Sequence, residues 1–288
     1  MDAIKHIPVL LDEVLEYLQP SDGKIYFDGT FGGGGYTRAI LSKSDCSVIA
    51  CDRDDLVKPY ADKVFEEFPN RFAFTRDKFS NIKKILNNQN THKVDGIVLD
   101  LGLSNFQLED EFRGFSFKSS GAIDMSMGLC DENALDVIRH YSEQDLADII
   151  YKFGEERFSR RIAKNIKANL KNLKSASDLA DVIRKAVPRR GKIDTATKTF
   201  QALRIFVNHE LDELQNLLDI SIDLLNPEGR IVIVSFHSLE DRIVKFFFKD
   251  LSNKNFRILT KKPITPSDSE IRLNPKSRSA KLRCILKE

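Results

Sequence analysis

A chain of 288 residues with 41% hydrophobic content can bury a real core, and its length is comfortable for two domains. No apolar run approaches the ~20 residues of a membrane span, and the start Met-Asp-Ala-Ile-Lys-His lacks the apolar stretch of a signal peptide, so a cytoplasmic protein with no membrane partner is expected. The net charge of +2 hides an asymmetry: residues 151–200 hold 14 Lys and Arg against 5 Asp and Glu, a balance of +9, leaving −7 for the rest. Such a segment is either a nucleic-acid-facing surface or a solvated helix face. Cys46, Cys51, Cys130 and Cys284 show no metal-type spacing and are expected to be reduced.

Residues 8–18 begin with proline and carry apolar residues at helical spacing, which predicts an amphipathic helix. The stretch from Lys24 to Arg38, KIYFDGTFGGGGYTR, then reads as a short buried strand, an acidic residue at its carboxyl end, a glycine-dense turn and a helix opening near Tyr36. Glycines let backbone approach a ligand, and a helix start offers N–H groups to a carboxylate or phosphate. No window supplies the G-x-G-x-x-G of a dinucleotide site. Asp28 would repel a pyrophosphate but suits a cation, such as the sulfonium and ammonium of S-adenosylmethionine (SAM). An NAD site and a ligand-free turn are the alternatives.

One βαβ step on, Ser47–Asp52 is a second apolar run ending in a carboxylate, placed to accept hydrogen bonds from ribose hydroxyls. Asp28 and Asp52 are expected to face one crevice. Helices are expected over 36–43, 56–68 and 79–88, with strands at 71–77 and 94–101, the last carrying Asp100. This alternation predicts a parallel sheet covered on both faces. The next clear strand is 230–236, after the turn Asn226-Pro-Glu-Gly229, so the gap is far longer than an ordinary crossover. Most of the gap reads helical. Ser142 to Asp145 and Ser175 to Asp178 fit capping boxes, Gly154 falls where the first of those helices would stop, and 157–170 is a basic amphipathic helix. A long helical region, 197–225, returns the chain to the sheet. Ser238-Leu-Glu-Asp241 caps a helix, and 256–261 with 281–286 look like a closing antiparallel pair around a basic loop. Phe246–Phe248 is expected to be core.

Several of these segments match one family. HIPVLL from His6, DGTFGGGG from Asp28, DLGLSNFQL from Asp100, RGFSF from Arg113, Asp124-Met125, GEERF from Gly154, TFQALRI from Thr199, SFHSLEDR from Ser235 and NPKSRSAKLR from Asn274 occur in family order over nearly the whole chain. Together they resemble the bacterial small-subunit (16S) ribosomal RNA cytosine-N4 methyltransferases, which use SAM. The resemblance implies an α/β fold, a Rossmann-like class I SAM-dependent methyltransferase sheet with an inserted all-helical subdomain. The limits are set at 1–108 and 199–288 for the sheet domain and 109–198 for the substrate-recognition insert. It implies methyl transfer to N4 of a cytidine near the decoding region, with small-subunit rRNA or the assembled small subunit as partner and a homodimer as one option for assembly.

It also implies SAM contacts at Gly34, Gly35, Tyr36, Asp52, Phe79, Asp100 and Gln107. The glycine backbone would meet the methionine tail, Asp52 the ribose and Phe79 the adenine, with Asp100 and Gln107 near the tail and the transferring methyl. The chain departs from the family in having Tyr36 for a histidine, Asn105-Phe106 for Ser-Pro, and Ser126 in place of the arginine of Asp-Met-Arg-Met. The prolyl motif common to amino methyltransferases is missing after Asp100. Asp100 and nearby backbone carbonyls are therefore the leading candidates to hold the acceptor amine, assisted by His237 or Asn208, and no metal is expected. His92, His140 and His209 read as surface residues. The phosphate contacts are expected at 157–174, at 184–192 and at 276–283, and the target base must be unpaired or flipped out to reach the donor.

Overall fold

A computed structural model describes residues 8–188, 194–252 and 254–288 of the chain. His6 and the Arg189–Arg190 pair of the basic segment lie outside the described residues. In chain order the first elements are α1 (Leu11–Leu18), β1 (Ile25–Asp28), α2 (Gly35–Lys43), β2 (Ser47–Asp52), α3 (Lys58–Glu67), β3 (Phe72–Arg76), α4 (Ile82–Asn88) and β4 (Val94–Leu101). Six helices follow: α5 (Asn105–Glu109), α6 (Ala134–His140), α7 (Glu143–Gly154), α8 (Ser159–Ala168), α9 (Ala176–Ala186) and α10 (Thr197–Asn208). The chain then adds α11 (Glu210–Leu224), β5 (Leu225–Ser235), α12 (Ser238–Leu251), β6 (Phe256–Ile258), α13 (Asp268–Leu273) and β7 (Lys281–Lys287).

Two compact units result, one running to Gly102 and resuming at Leu211, the other comprising Leu103–Glu210. The first holds a seven-stranded sheet in the order β3-β2-β1-β4-β5-β7-β6. β1 to β5 pair in parallel, while β7 runs antiparallel to both β5 and β6. The inner strands are apolar without alternation because helices cover both faces: Ile97, Val98 and Leu99 of β4 and Ile231 to Val234 of β5 are all buried. One of those faces joins Phe27, Ile97, Leu99, Ile231 and Ile233 to Leu214, Leu217 and Leu218 of α11 and Phe248 of α12. Phe248 is thus core, but Phe246 is 53% exposed.

The helical unit has its own core, in which Leu146 and Ile150 of α7, Ile162 and Ile166 of α8, Leu179 and Ile183 of α9 and Phe200 and Leu203 of α10 are buried together. Ser142 caps α7, and Ser175 with Asp178 forms the capping box of α9. α7 stops at Gly154, as expected, and Glu155 takes the left-handed cap at φ 49°. Four local expectations need correction. The 197–225 region is two helices, broken where His209 adopts φ 51°. Because α10 packs into the helical core, the unit extends to Glu210 where a limit at 198 was expected. Pro8 does not open α1, which starts at Leu11 after a left-handed Leu10. Finally, β5 begins at Leu225: Leu225 pairs with Val94 and Arg230 with Gly96, and Asn226–Gly229 bulges out between them.

Candidate active site

β1 delivers Asp28 to the carboxyl edge of the sheet, completely buried. Its carboxylate accepts from Thr30 N (3.1 Å) and from Thr37 Oγ1 (2.7 Å), so it ties the glycine turn to the first turn of α2. Burial pushes its carboxyl up to about 6. Asp28 is thus a brace inside the loop rather than one wall of an open crevice, which corrects the expectation from sequence. Gly34 holds φ 76° as the N-cap of α2 and supplies no side chain to cap it, which leaves the first-turn N–H groups to other acceptors. Gly35 backs onto Pro8, where a Cβ would lie 2.3 Å from Pro8 Cγ.

Asp52 closes the other side of the turn, its Oδ2 accepting from Gly32 N (2.8 Å) and its Oδ1 from Asp54 N (3.0 Å). Burial raises its carboxyl to about 6, and its remaining lone pairs keep capacity for hydroxyl donors. Tyr36 is buried and its hydroxyl donates to Val9 O at 2.5 Å. Its side chain therefore anchors the segment before α1, and only its backbone is left for a ligand. Phe79 opens the turn after β3 and packs beside Gly29, where a Cβ on the glycine would come within 3.0 Å of Phe79 Cβ.

At the end of β4, the Asp100 N–H donates to Thr30 Oγ1 at 2.6 Å, so the same loop fixes this backbone too. Asp100 is half-buried, but its Oδ1 is inaccessible and has no hydrogen-bond partner among the described residues. Burial, reinforced by the charges of Asp28 and Glu240, raises its carboxyl to about 8. An inaccessible carboxylate oxygen with no donor is costly to a fold. Such an oxygen suits a ligand that brings a donor or a positive charge.

β5 ends one register step from Asp100, with Leu101 opposite Ser235, and α12 starts immediately after it. His237, rather than the expected Ser238, is the N-cap: its Nδ1 accepts from Glu240 N at 3.4 Å, and Glu240 Oε2 accepts from Phe236 N (2.8 Å) and His237 N (3.2 Å). His237 Nε2 is inaccessible and lies 3.1 Å from Glu240 Oε1 without hydrogen-bond geometry. The fold thus gathers Asp28, Asp100, Glu240 and His237 at one end of the sheet. The sequence singled out three of these four. Glu240 was visible only as part of a capping pattern.

Two expected site residues take part in structural hydrogen bonds. Asn208 accepts from Met127 N (2.8 Å) and Cys130 Sγ (3.2 Å) and donates to the carbonyls of Met125 and Arg204 (both 2.8 Å). Two donors and two lone pairs are all an amide has, so Asn208 ties the 125–130 loop to α10 and cannot also hold an acceptor amine. Asn208→Ala is expected to cost about 2–4 kcal/mol in denaturant unfolding, with faster hydrogen exchange at Met127. Gln107 uses its Oε1 to accept from Ser104 N (3.0 Å) in the capping box of α5.

The model of one protein family, the MraW methylase family, matches residues 3–288. The chain belongs to the MraW methylase family. A relative from Ehrlichia chaffeensis, named ribosomal RNA small subunit methyltransferase H, is 48% identical over 98% of this chain and 99% of its own. The protein of that name from Anaplasma marginale is 47% identical over 97% and 98%. A solved protein from Clostridium thermocellum superposes with a TM-score of 0.50 at 14% identity, covering 98% of this chain and 99% of its own, and speaks to the fold alone. As a member of this family the chain is a SAM-dependent methyltransferase. Its residues fit that cofactor. The N-terminus of α2 has no side-chain cap, Asp52 has acceptor capacity in reserve, and the orphaned Asp100 Oδ1 lacks a donor or cation. No helix among the described residues is long and apolar enough to cross a membrane.

Proposed function

We propose that this methyltransferase acts in the cytoplasm on N4 of a cytidine near the decoding region of small-subunit (16S) rRNA, presented as free rRNA or within the small subunit. The names of its relatives support the RNA class. The observation that carries the chemistry is the orphaned, raised carboxyl of Asp100 at the end of β4. The cofactor, when bound, would supply a methyl group on a positively charged sulfur. Gly34 and Gly35 would receive the carboxylate of its methionine tail on backbone N–H groups, and Asp52 would hold its ribose. Phe79 would lie against its adenine. Asp100, once ionised, would accept a hydrogen bond from the cytosine amine and so orient its nitrogen lone pair. Placement of this kind can supply roughly 7–11 kcal/mol of the barrier. Glu240 keeps His237 on the cap of α12 and adds to the raising of Asp100.

The helical unit is assigned to substrate recognition. On α8, Ile162 and Ile166 are buried while Arg160, Arg161 and Lys164 are exposed, and Arg157, Lys171 and Lys174 are exposed beside them in sequence. Such cations position RNA through its phosphates without reading sequence. Reversing Arg160, Arg161 and Lys164 to Glu is expected to raise the KM for RNA by at least about ten-fold and to flatten its salt dependence, with SAM affinity unchanged by calorimetry. Incubation with labelled SAM and, in parallel, small subunits, free rRNA and DNA tests the main assignment: label is expected on a cytidine of the rRNA. Label confined to DNA rejects it.

A further inference from the structure

The Phe79 turn is held from an unexpected direction. Lys78, Phe79 and Ser80 lie between β3 and α4, and Asp77 braces one side of the turn by accepting from Lys78 N (2.8 Å) and Asn81 Nδ2 (2.6 Å). The other side is gripped by Glu213 of α11, which is 133 residues from Ser80 in sequence. Glu213 Oε2 accepts from Ser80 Oγ at 2.5 Å, and Oε1 lies 3.4 Å from Lys78 Nζ. Glu213 is only 8% exposed, so this carboxylate has been taken out of water to make those two contacts. Both contacts flank Phe79, whose Cβ sits against Gly29 at the end of β1. A buried acid on a distant helix with both oxygens turned to one short turn fixes where that turn stands.

We infer that Glu213 is a positioning residue for the cofactor pocket: through Ser80 and Lys78 it sets the Phe79 ring in place and thereby sets SAM affinity. The inference rests on the reading that Phe79 lies against adenine. It adds that the adenine side of the pocket is completed by α11, the helix through which the chain re-enters the sheet unit after the insert.

The test is calorimetric binding of S-adenosylhomocysteine to the full-length wild type and to Glu213→Gln, Glu213→Ala, Ser80→Ala and Phe79→Ala, with thermal unfolding of each. Glu213→Ala is expected to weaken binding roughly ten-fold, the order of a hydrogen bond to a charged group. Ser80→Ala, which removes a single hydroxyl, is expected to weaken it about three-fold, and Glu213→Gln to fall between wild type and Glu213→Ala. In steady state the KM for SAM should rise while kcat and the KM for RNA stay within two-fold. In a Phe79→Ala background, Glu213→Ala should add little, because the ring it positions is gone. Unchanged binding in both Glu213→Ala and Ser80→Ala, with Phe79→Ala still weakened, overturns the inference and leaves the adenine reading standing. Unchanged binding in Phe79→Ala removes that reading and the inference with it. If Glu213→Ala fails to fold, Ser80→Ala and Glu213→Gln decide alone.

Discussion

Asp100→Asn is expected to abolish methyl transfer and, in the same molecule, to raise stability. Loss of a positioned proton acceptor costs about 10²–10⁴ in rate, read as label transferred to rRNA under saturating SAM. The stability gain follows from the carboxyl held near 8 by burial and by Asp28 and Glu240, against about 3.9 for an unperturbed aspartate. A group whose folded value is raised gives stability that is complete below its unfolded value and is lost as pH rises through the folded one. Wild type therefore loses stability between about pH 4 and pH 8, and the asparagine variant, which does not titrate, loses none through this site. The gap is worth up to about 6 kcal/mol, and about half that once the partial exposure of Asp100 is allowed for. Thermal melts of the ligand-free proteins at pH 5, 6, 7 and 8 should diverge steadily and then run parallel above pH 8. For wild type, kcat/KM should climb toward about pH 8, as Asp100 ionises in the free enzyme. The kcat profile should break at lower pH, since a neighbouring cation favours the carboxylate. A melting difference independent of pH would show that Asp100 is ionised throughout and remove it as the titrating acceptor.

Gly154→Ala carries the second large effect, and here two forces oppose. Alanine in a helix is favoured over glycine by about 1 kcal/mol. At this position, however, the new Cβ would lie 2.4 Å from Lys198 O and 3.1 Å from Lys198 C. These are backbone atoms of α10, which cannot rotate away as a side chain would. Relief requires α7 and α10 to separate, at about 1–3 kcal/mol or more, so the clash wins and net destabilisation of about 2 kcal/mol is expected in denaturant unfolding. RNA binding should fall while S-adenosylhomocysteine affinity is retained, because the glycine loop, Asp52 and Phe79 belong to the other unit. A stabilised variant would show that helix propensity dominates and that the two backbones are not in contact.

What separates legible from illegible residues is the range of the interaction that decides each. β2 and β4 were recovered at Ser47–Asp52 and Val94–Leu101, and the cap at Ser142 and the box at Ser175 were recovered too, because a buried strand and a capped helix start are written in neighbouring residues. The end of α7 at Gly154 was legible too, but its close approach to the Lys198 backbone was not, for the opposite reason. A glycine near a helix end has the same local appearance whether it provides a left-handed cap or lets a second backbone approach. Asn208 shows the same limit at the site. A polar residue just past a motif of a resembling family looks catalytic until Met125, Met127, Cys130 and Arg204 are seen to use all of its hydrogen-bonding capacity.

The sequence by itself determined the sheet of alternating strands and helices, the long helical insertion, the glycine turn with an acid on each side, and, through motifs in family order, the methyl donor. Those features depend on periodicity, composition and short spacings, which survive in one dimension. Only the tertiary structure decided that Asp28 is a brace, that Asp100 Oδ1 is buried without a partner among the described residues, and that Glu213 reaches back to the Phe79 turn. Each of these depends on burial and on atoms brought together from far apart in the chain, and a carboxyl's protonation and partners are set by that surrounding volume.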